Sequence, residues 1–469
     1  MENTSDQYYN SETKTMNLSG VIPKNTGEFK LSIPTDCECL HLDNNGLKQL
    51  SSNLPEGLKV LSASGNDITS IPELPEGLTH LVLSNNKISK VENIPKTCVY
   101  LDLRYNKVSS IEASASNLKT LKLNFNSLKT FKENSLPNSL EHLEVTNNSL
   151  SDIKNLPDSI KLLNLSNNSI NKITQMPSNL EKLVLINNKI LSLDGVKYSE
   201  KLSEIEIEYN YLEKIPEGLP KSLKGLFLDH NKISVLNNCP EDLETLSVDS
   251  NQVHTVEKLP ENLLELHISN NQLTSLKKLP NTIEDLHAKS NLLRVLKHIP
   301  KECGTLDVRS NLIETVKVTK CFKNLRDLSI LGNNIKDVDT LIYKLNKLEV
   351  LSDIIPDEES SNSESEIDFD NFSDNMSENM SEPLSENMSE NLSDGSDIDP
   401  RLLDEDMMDN EGEVTSDDIL NFSKKLKKPK KSKKDKLRPS VEVEEKKPQV
   451  HAKVKAKGQT KGQTKPKSK

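Results

Sequence analysis

Apolar residues recur along this chain in one frame that repeats every 20 to 22 residues. The frame reads L-x-x-L-x-L-x-x-N-x-I-x-x-I, and two copies are LEKLVLINNKILSL from Leu180 and LLELHISNNQLTSL from Leu263. Fifteen copies occur, and their asparagines are Asn45, Asn66, Asn86, Asn106, Asn126, Asn148, Asn168, Asn188, Asn210, Asn231, Asn251, Asn271, Asn291, Asn311 and Asn333. Self-similarity at a fixed period indicates a stack of equivalent structural units.

Each copy predicts one short strand. The L-x-L step has a period of two, so Leu81 and Leu83 face one side of a strand while Val82 and Ser84 face the other. The later apolar positions carry the chain back behind the strand, and a Leu-Pro step such as Leu74-Pro75 favours extended backbone there. A repeat of this length leaves little room for a helix, so we expect extended or 3₁₀ segments on the returning side.

This frame resembles that of the leucine-rich repeat superfamily. The Leu-Pro steps resemble the short bacterial type of repeat, and the N-x-I-x-x-I portion equally resembles the type of a phosphatase regulatory subunit. The resemblance implies a solenoid of about 15 repeats with a curved parallel β-sheet on its concave face. It also implies that each repeat asparagine bonds neighbouring backbone groups as one rung of a ladder, and that the solenoid binds other macromolecules.

The repeat pattern sets the expected domain boundaries. Residues 1–36 are a polar N-terminal segment, in which Val21–Ile33 is a candidate cap and Met1–Ser19 is expected to be mobile. The solenoid is expected to occupy residues 37–356. It closes with a half-repeat at Leu348-x-x-Leu351, and the stretch Asp337–Leu348 favours a helix as part of that cap.

The chain beyond the repeats changes in charge and complexity. Residues 352–423 hold 24 Asp and Glu against one arginine, whereas residues 424–469 hold 19 Lys and Arg against four acids. Such segments bury too little apolar surface to offset the conformational entropy lost on folding. We therefore expect a disordered acidic tract, rich in Ser, Asn and Met, at 357–423 and a disordered basic tail at 424–469. The cluster Lys424–Lys434 fits a nuclear-localisation signal or a non-specific nucleic-acid contact.

Composition favours an intracellular protein, cytoplasmic or nuclear. No apolar run approaches 18 residues, and the N-terminus lacks a charged-then-apolar signal, so neither membrane insertion nor secretion is supported. Five of the six cysteines occupy apolar positions of the frame, which predicts reduced core residues rather than disulfides. The Asn and Lys usage is typical of an AT-rich genome, as in some protists and large DNA viruses.

Motifs for catalysis are missing from the sequence. There is no phosphate-binding G-x-x-x-x-G-K-[ST], no G-x-S-x-G, no H-E-x-x-H and no Cys-x-x-Cys, so we expect no enzyme, cofactor or small-molecule substrate. Bacterial effectors with Leu-Pro repeats can carry a ubiquitin-ligase domain, but the segment after these repeats has no cysteine. Cys39, His41 and Asp43 alternate on one predicted strand, which is too weak a pattern to assign a metal site.

The strongest candidate site is a row of acids on the predicted concave face. An apolar strip precedes most of these acids in the sequence. The acids at inward-facing positions are Glu204, Glu206, Glu208, Asp229, Asp249, Glu265, Asp285, Asp307 and Asp327, with Lys289 and Arg309 opposing them. His267 and His287 share this face, and the apolar positions are Leu162, Val184, Ile186 and Phe227. We call these acids and histidines, with Phe227, the acidic face. It predicts docking of a basic, partly apolar protein segment, although an ordinary solvated surface would show the same pattern.

Three functions are compatible with the sequence. The first is a non-enzymatic scaffold that binds a protein partner on the concave face. The second is a nuclear binder of basic proteins, because repeats followed by an acidic tract and a basic cluster resemble the acidic leucine-rich nuclear phosphoprotein family of histone-binding proteins. Here the repeats are far more numerous and the acidic tract is diluted by Ser, Asn and Met. The third is a regulatory or adaptor subunit of a phosphatase or ubiquitin ligase, for which no adaptor motif is present.

Overall fold

The repeat frame forms a parallel β-solenoid, as the sequence predicts. The structure is a computed structural model and describes residues 7–22, 32–112, 115–173, 175–346 and the backbone of 351–352. Its main sheet has 18 strands, and each of the fifteen repeats contributes one strand of three residues. In chain order the strands are β1 (Tyr9–Asn10), β2 (Thr15–Asn17), β3 (Cys39–His41), β4 (Val60–Ser62), β5 (His80–Val82), β6 (Lys90–Val91), β7 (Tyr100–Asp102), β8 (Ser110–Ile111), β9 (Thr120–Lys122), β10 (His142–Glu144), β11 (Asp152–Ile153), β12 (Leu162–Asn164), β13 (Lys172–Ile173), β14 (Lys182–Val184), β15 (Glu204–Glu206), β16 (Gly225–Phe227), β17 (Val235–Leu236), β18 (Thr245–Ser247), β19 (Thr255–Val256), β20 (Glu265–His267), β21 (Asp285–His287), β22 (Val295–Leu296), β23 (Thr305–Asp307), β24 (Thr315–Val316), β25 (Asp327–Ser329) and β26 (Leu351–Ser352).

The register of the main sheet stacks equivalent positions of successive repeats. On β15 the middle residue Ile205 is fully buried, and it lies between Leu183 of β14 and Leu226 of β16. The residues on either side of it, Glu204 and Glu206, turn away from the core and are partly exposed. One side of the sheet is therefore a continuous apolar core, and the other, which we call the concave face, carries the variable side chains.

The repeat asparagines form a continuous ladder of hydrogen bonds. Asn188 is only 4% exposed, and its Oδ1 accepts the backbone N–H of Ile170 at 3.0 Å. Its Nδ2 donates to the carbonyls of Leu165 and Leu185, both at 3.1 Å. In every one of the fifteen repeats Oδ1 accepts an N–H from the preceding repeat or terminal segment in the same way. Each asparagine thus satisfies backbone groups that the turn would otherwise bury without partners.

The returning side of the stack contains extended segments and little helix, as the repeat length predicts. Four pairs of two-residue strands lie there, namely β6–β8, β11–β13, β17–β19 and β22–β24. One 3₁₀ turn covers Lys320–Lys323 and buries Phe322. The Leu-Pro steps close short turns into the next strand, because the carbonyl of Pro55 accepts the N–H of Leu58 at 3.1 Å and Pro75 accepts that of Leu78.

The N-terminal end of the stack differs from the sequence prediction. A hairpin of β1 and β2 covers it, and β2 pairs in parallel with β3, the first repeat strand. Met16, Leu18 and Ile22 are buried there, so the covering strand lies within the segment expected to be mobile. The polar composition of that segment does not indicate this strand, because Met16 and Leu18 are the only buried apolar side chains in its described residues 7–19, with Tyr8 and Tyr9 partly buried against the core. Much of the predicted cap Val21–Ile33 lies outside the described residues.

Helix α1 and β26 follow the last repeat. Helix α1 spans Val338–Asn346 and buries Leu341 and Leu345, within the stretch that favoured a helix. Strand β26 pairs in parallel with β25 and extends the sheet by one strand. The acidic tract at 357–423 and the basic tail at 424–469 lie outside the described residues, so their predicted disorder stays a prediction.

Two further observations concern the described residues only. Their cysteines, all six of the chain, are free thiols, and Cys37, Cys98 and Cys303 are fully buried as the frame predicts. Among those same residues, no helix has the length and apolar character needed to cross a membrane.

Candidate functional site on the concave face

The register brings the acidic-face residues together on seven strands of the main sheet. One row runs across β15 to β21 through Glu204, Glu265 and Asp285, with Gly225 and Thr245 between them. The next row passes from Glu206 through Phe227, His267 and His287 to Asp307. Residues that lie about twenty positions apart in the sequence therefore become neighbours across one surface.

A lysine on the preceding strand neutralises the first two acids. The Lys182 Nζ lies 2.7 Å from Glu204 Oε1 and 2.6 Å from Glu206 Oε1. Burial opposes ionisation of Glu204, yet the hydrogen bond from Lys182 lowers its pKa overall. Lys182 therefore adds a cation to Lys289 and Arg309, the two basic residues expected at the inward-facing positions from Glu204 onward. Lys182 belongs to the repeat before the acidic run, and inspection of its strand position in the frame could have found it.

Asp229 and Asp249 hold the ends of neighbouring strands together. The Oδ1 of Asp229 accepts the N–H of Asp249 at 2.7 Å and the hydroxyl of Ser247 at 2.6 Å. The Oδ1 of Asp249 accepts the N–H of Ser269 at 2.5 Å, while burial raises the pKa of Asp249. The expectation that these side chains only face solvent was wrong. Reversing their charge would leave these backbone N–H groups without their acceptors and would also change the charge of the surface.

The far end of the acidic face also contains internal contacts. Arg309 donates to both oxygens of Asp307, at 3.0 and 2.7 Å. Burial opposes ionisation of Asp307, but these hydrogen bonds outweigh it and lower its pKa. His267 lies 2.9 Å from Glu265, and its ring stacks on that of His287 with centroids 4.5 Å apart. The acids of this face therefore differ in how much charge they present to a partner.

Glu208 stands apart from the other acids because its carboxyl group is poorly satisfied. Its Oε2 atom is buried and has no hydrogen-bond partner among the described residues. The pKa of Glu208 is raised to about 7, first by burial and then by the nearby charges of Glu206 and Asp229, which outweigh the opposing effect of Lys182. The charged form of this side chain is thus disfavoured near neutral pH.

Replacing Glu208 by glutamine should stabilise the protein at alkaline pH. A carboxyl whose pKa is raised on folding contributes stability below its ordinary value of 4.5, and that contribution is lost as pH rises through about 7. Glu208→Gln does not titrate, so its free energy of unfolding should exceed that of the wild type by about 1 kcal/mol at pH 8, with partial exposure to water limiting the effect. Urea unfolding at pH 5 and pH 8 measures this difference. The prediction is contradicted if Glu208→Gln differs from the wild type in free energy of unfolding by the same amount at both pH values. It is also contradicted if the exposed control Glu213→Gln shows the same pH-dependent difference.

An apolar strip adjoins the acids on the side of lower residue numbers. The Phe227 ring lies over Gly225, where an added Cβ would come within 3.1 Å of the ring and 3.5 Å of Glu204. Leu162 is 39% exposed, and Ile186 is partly exposed beside the buried Val184. Gly225 was missed in the sequence, although it is the one glycine among the first inward positions of the fifteen repeats. Its lack of a side chain leaves room for the aromatic ring on the strand next to Glu204 and Glu206, on the side away from the apolar strip.

The other residues considered as metal ligands do not form a metal site. Cys39 Sγ lies 3.3 Å from the Nε2 of His41, and the Oδ1 of Asp43 accepts the N–H of Ser64 at 2.6 Å. Asp43 therefore has the same strand-end role as Asp229. In the described part of the chain, no group of three His, Cys, Asp or Glu side chains is arranged to hold a metal ion.

Comparisons with known proteins agree with the solenoid architecture. A family model described as Leucine Rich repeats (2 copies) matches residues 56–96. The search of curated proteins found no match. Among solved structures, YopM, a leucine-rich effector protein from Yersinia pestis, is 30% identical with a TM-score of 0.50, covering 63% of this chain and 89% of that one.

Two further solved structures share the architecture. YopM from Yersinia enterocolitica WA-314 is 26% identical with a TM-score of 0.46, and the match covers 63% of this chain and 78% of that one. A leucine-rich repeat protein from Leptospira interrogans is 23% identical with a TM-score of 0.49, covering 67% of this chain and 95% of that one.

Proposed function

Because this chain belongs to the leucine-rich repeat superfamily, we propose that it is a protein–protein interaction scaffold that binds a basic, partly apolar segment of a partner protein on its concave face. Solenoids of this kind offer extended concave surfaces on which a partner can lie across several repeats. The single observation that carries the proposal is that apolar side chains lie on both sides of the first acids, with Leu162 and Ile186 before β15 and Phe227 after it.

The distribution of charge supports a basic partner. Nine acids occupy inward-facing positions from Glu204 to Asp327, whereas Lys289 and Arg309 are the only lysine and arginine at such positions in the same repeats. Lys182 neutralises part of the first strand, so the excess negative charge concentrates further along the sheet. A surface with one sign of charge attracts and orients a partner of the opposite sign, and the attraction weakens with added salt.

The proposal predicts that neutralising three acids of this face abolishes capture of basic partners. The variant Glu265→Gln/Asp285→Asn/Asp327→Asn spares the carboxylates that accept backbone N–H groups, Asp229 and Asp249. Full-length wild type and variant are used as bait in pull-downs from cell extract at low salt, read by mass spectrometry. We expect basic proteins that bind the wild type, elute with added salt and are reduced about tenfold with the variant.

A matched control removes the same charge elsewhere. Glu73, Glu92 and Glu133 are exposed and lie outside the strands of the main sheet, so their change to glutamine should leave the captured set unchanged. If both triple variants capture the same proteins as the wild type with the same salt dependence, the acidic face is an ordinary solvated surface. The scaffold then uses another surface.

A further inference from the structure

The residue immediately before each repeat asparagine has a backbone conformation that most side chains avoid. In all fifteen repeats this residue has a positive φ between 52° and 69°. Asparagine, glycine or serine occupies eleven of the fifteen positions, as at Asn187 and Asn270, and asparagine and glycine are the residues that tolerate this conformation best. The other four positions hold Tyr105, Phe125, Tyr209 and His230, of which the three Tyr and Phe residues rarely adopt this conformation.

These four aromatic residues form two stacked pairs. The rings of Tyr105 and Phe125 lie 4.4 Å apart and nearly parallel, and those of Tyr209 and His230 lie 4.1 Å apart at 11°. Tyr209 is 54% exposed and His230 is also exposed, so burial in the core does not offset the cost of this backbone conformation. Backbone strain retained at an exposed position favours a role in binding.

The two stacks differ in the charges beside them. Tyr209 follows Glu208 directly and His230 follows Asp229, so an acidic residue precedes each ring of this stack along the chain. The backbone N–H of Tyr209 donates to the carbonyl of Asp229 at 2.9 Å, which keeps the two repeats in register here. The stack of Tyr105 and Phe125 is bordered instead by Arg104 and Asn124. Of these two stacks, only that of Tyr209 and His230 therefore has an acidic residue next to each ring in the sequence.

We propose that the Tyr209–His230 stack, together with Asp229, binds an arginine side chain of the partner's basic segment. A guanidinium group is planar and weakly hydrated, so it stacks on aromatic rings and pairs with carboxylates at the same time. The neighbouring Tyr211 already holds a cation of this chain, since Lys232 Nζ lies 5.3 Å from its ring centre. The inference rests on the proposed function, and it names the side chain that anchors the partner.

The test compares two labelled peptides of equal length, charge and leucine content, whose basic residues are all arginine in one and all lysine in the other. Full-length wild type should bind the arginine peptide about fivefold more tightly at low salt. In Tyr209→Asn/His230→Asn this preference should disappear, while the lysine peptide still binds. The melting temperature should stay the same or rise, because asparagine tolerates positive φ. The single variant His230→Asn serves if the double variant does not fold.

The matched control is Tyr105→Asn/Phe125→Asn, which removes the other stack and should keep the arginine preference. Loss of the preference in this control, or its survival in Tyr209→Asn/His230→Asn, would overturn the arginine site while the acidic face stands. Failure of the wild type to bind either peptide would overturn both the site and the proposed function. Stack-dependent binding of single-stranded DNA without an arginine preference would overturn the site in favour of a nucleic-acid ligand.

Discussion

Asn188→Ala should lower the free energy of unfolding by about 1–3 kcal/mol. The side chain is buried and bonds the N–H of Ile170 and the carbonyls of Leu165 and Leu185, which belong to two successive repeats. Alanine leaves the N–H of Ile170 without a partner inside the stack, and it removes one of the two hydrogen bonds to each carbonyl, because Leu165 still accepts from Asn168 and Leu185 from Asn210. Urea unfolding followed by circular dichroism measures the loss as a lower midpoint.

The appropriate control for this substitution comes from the structure. Asn187 is exposed, and from the sequence alone its change to alanine would be expected to cost little. Its φ of 52° changes that expectation, because a Cβ in the left-handed region costs about 1 kcal/mol. Glycine tolerates this conformation, so Asn187→Gly should be nearly neutral and Asn187→Ala intermediate. Equal midpoints for Asn188→Ala and Asn187→Gly would refute the ladder's contribution to stability.

Deleting residues 1–22 should destabilise the first repeats severely. Met16 pairs with Leu40 across β2 and β3, and with Leu18 and Ile22 it covers the apolar end of the stack. Asn45 also loses the N–H of Ile22 and the carbonyl of Leu18. Burial of three such side chains contributes about 5 kcal/mol or more, and an uncovered repeat cannot bury its own core. We expect fast amide exchange in β3 and β4 and a lower melting temperature.

Truncation at the other end provides the comparison. A chain ending at Pro356 loses only segments without periodic apolar residues, so its melting temperature should stay within a few degrees of the full-length value. A chain lacking residues 1–22 that melts like the full chain, with unchanged exchange in β3, would show that the hairpin contributes nothing. A chain that starts at residue 37, the boundary that the repeat frame suggests, should show the same fast amide exchange in β3 and β4 and the same lower melting temperature.

The candidate site was only partly predictable. The period-two alternation placed Glu204, Glu206 and Phe227 on one face, because strand geometry alone determines which side chains leave the core. It could not show that Asp229 accepts a backbone N–H of the next strand, since that contact depends on how the strands separate at their ends. The aromatic stack at Tyr209 was also missed, although the contrast with asparagine at the same repeat position was visible in the sequence.

By itself, the sequence determined the solenoid, the number of repeats and the faces of the strands, because a fixed repeat of apolar residues can bury its core only by stacking copies of one unit. Only the tertiary structure decided which acids of the concave face keep their charge available. Lys182 reaches Glu204 and Glu206 across one strand spacing although Glu204 lies 22 residues further along the chain. The hairpin around Met16 likewise became part of the stack through contacts with β3, not through any repeat of its own. Side-chain partners in a solenoid come from neighbouring repeats, so their identity depends on register and packing, which no single repeat contains.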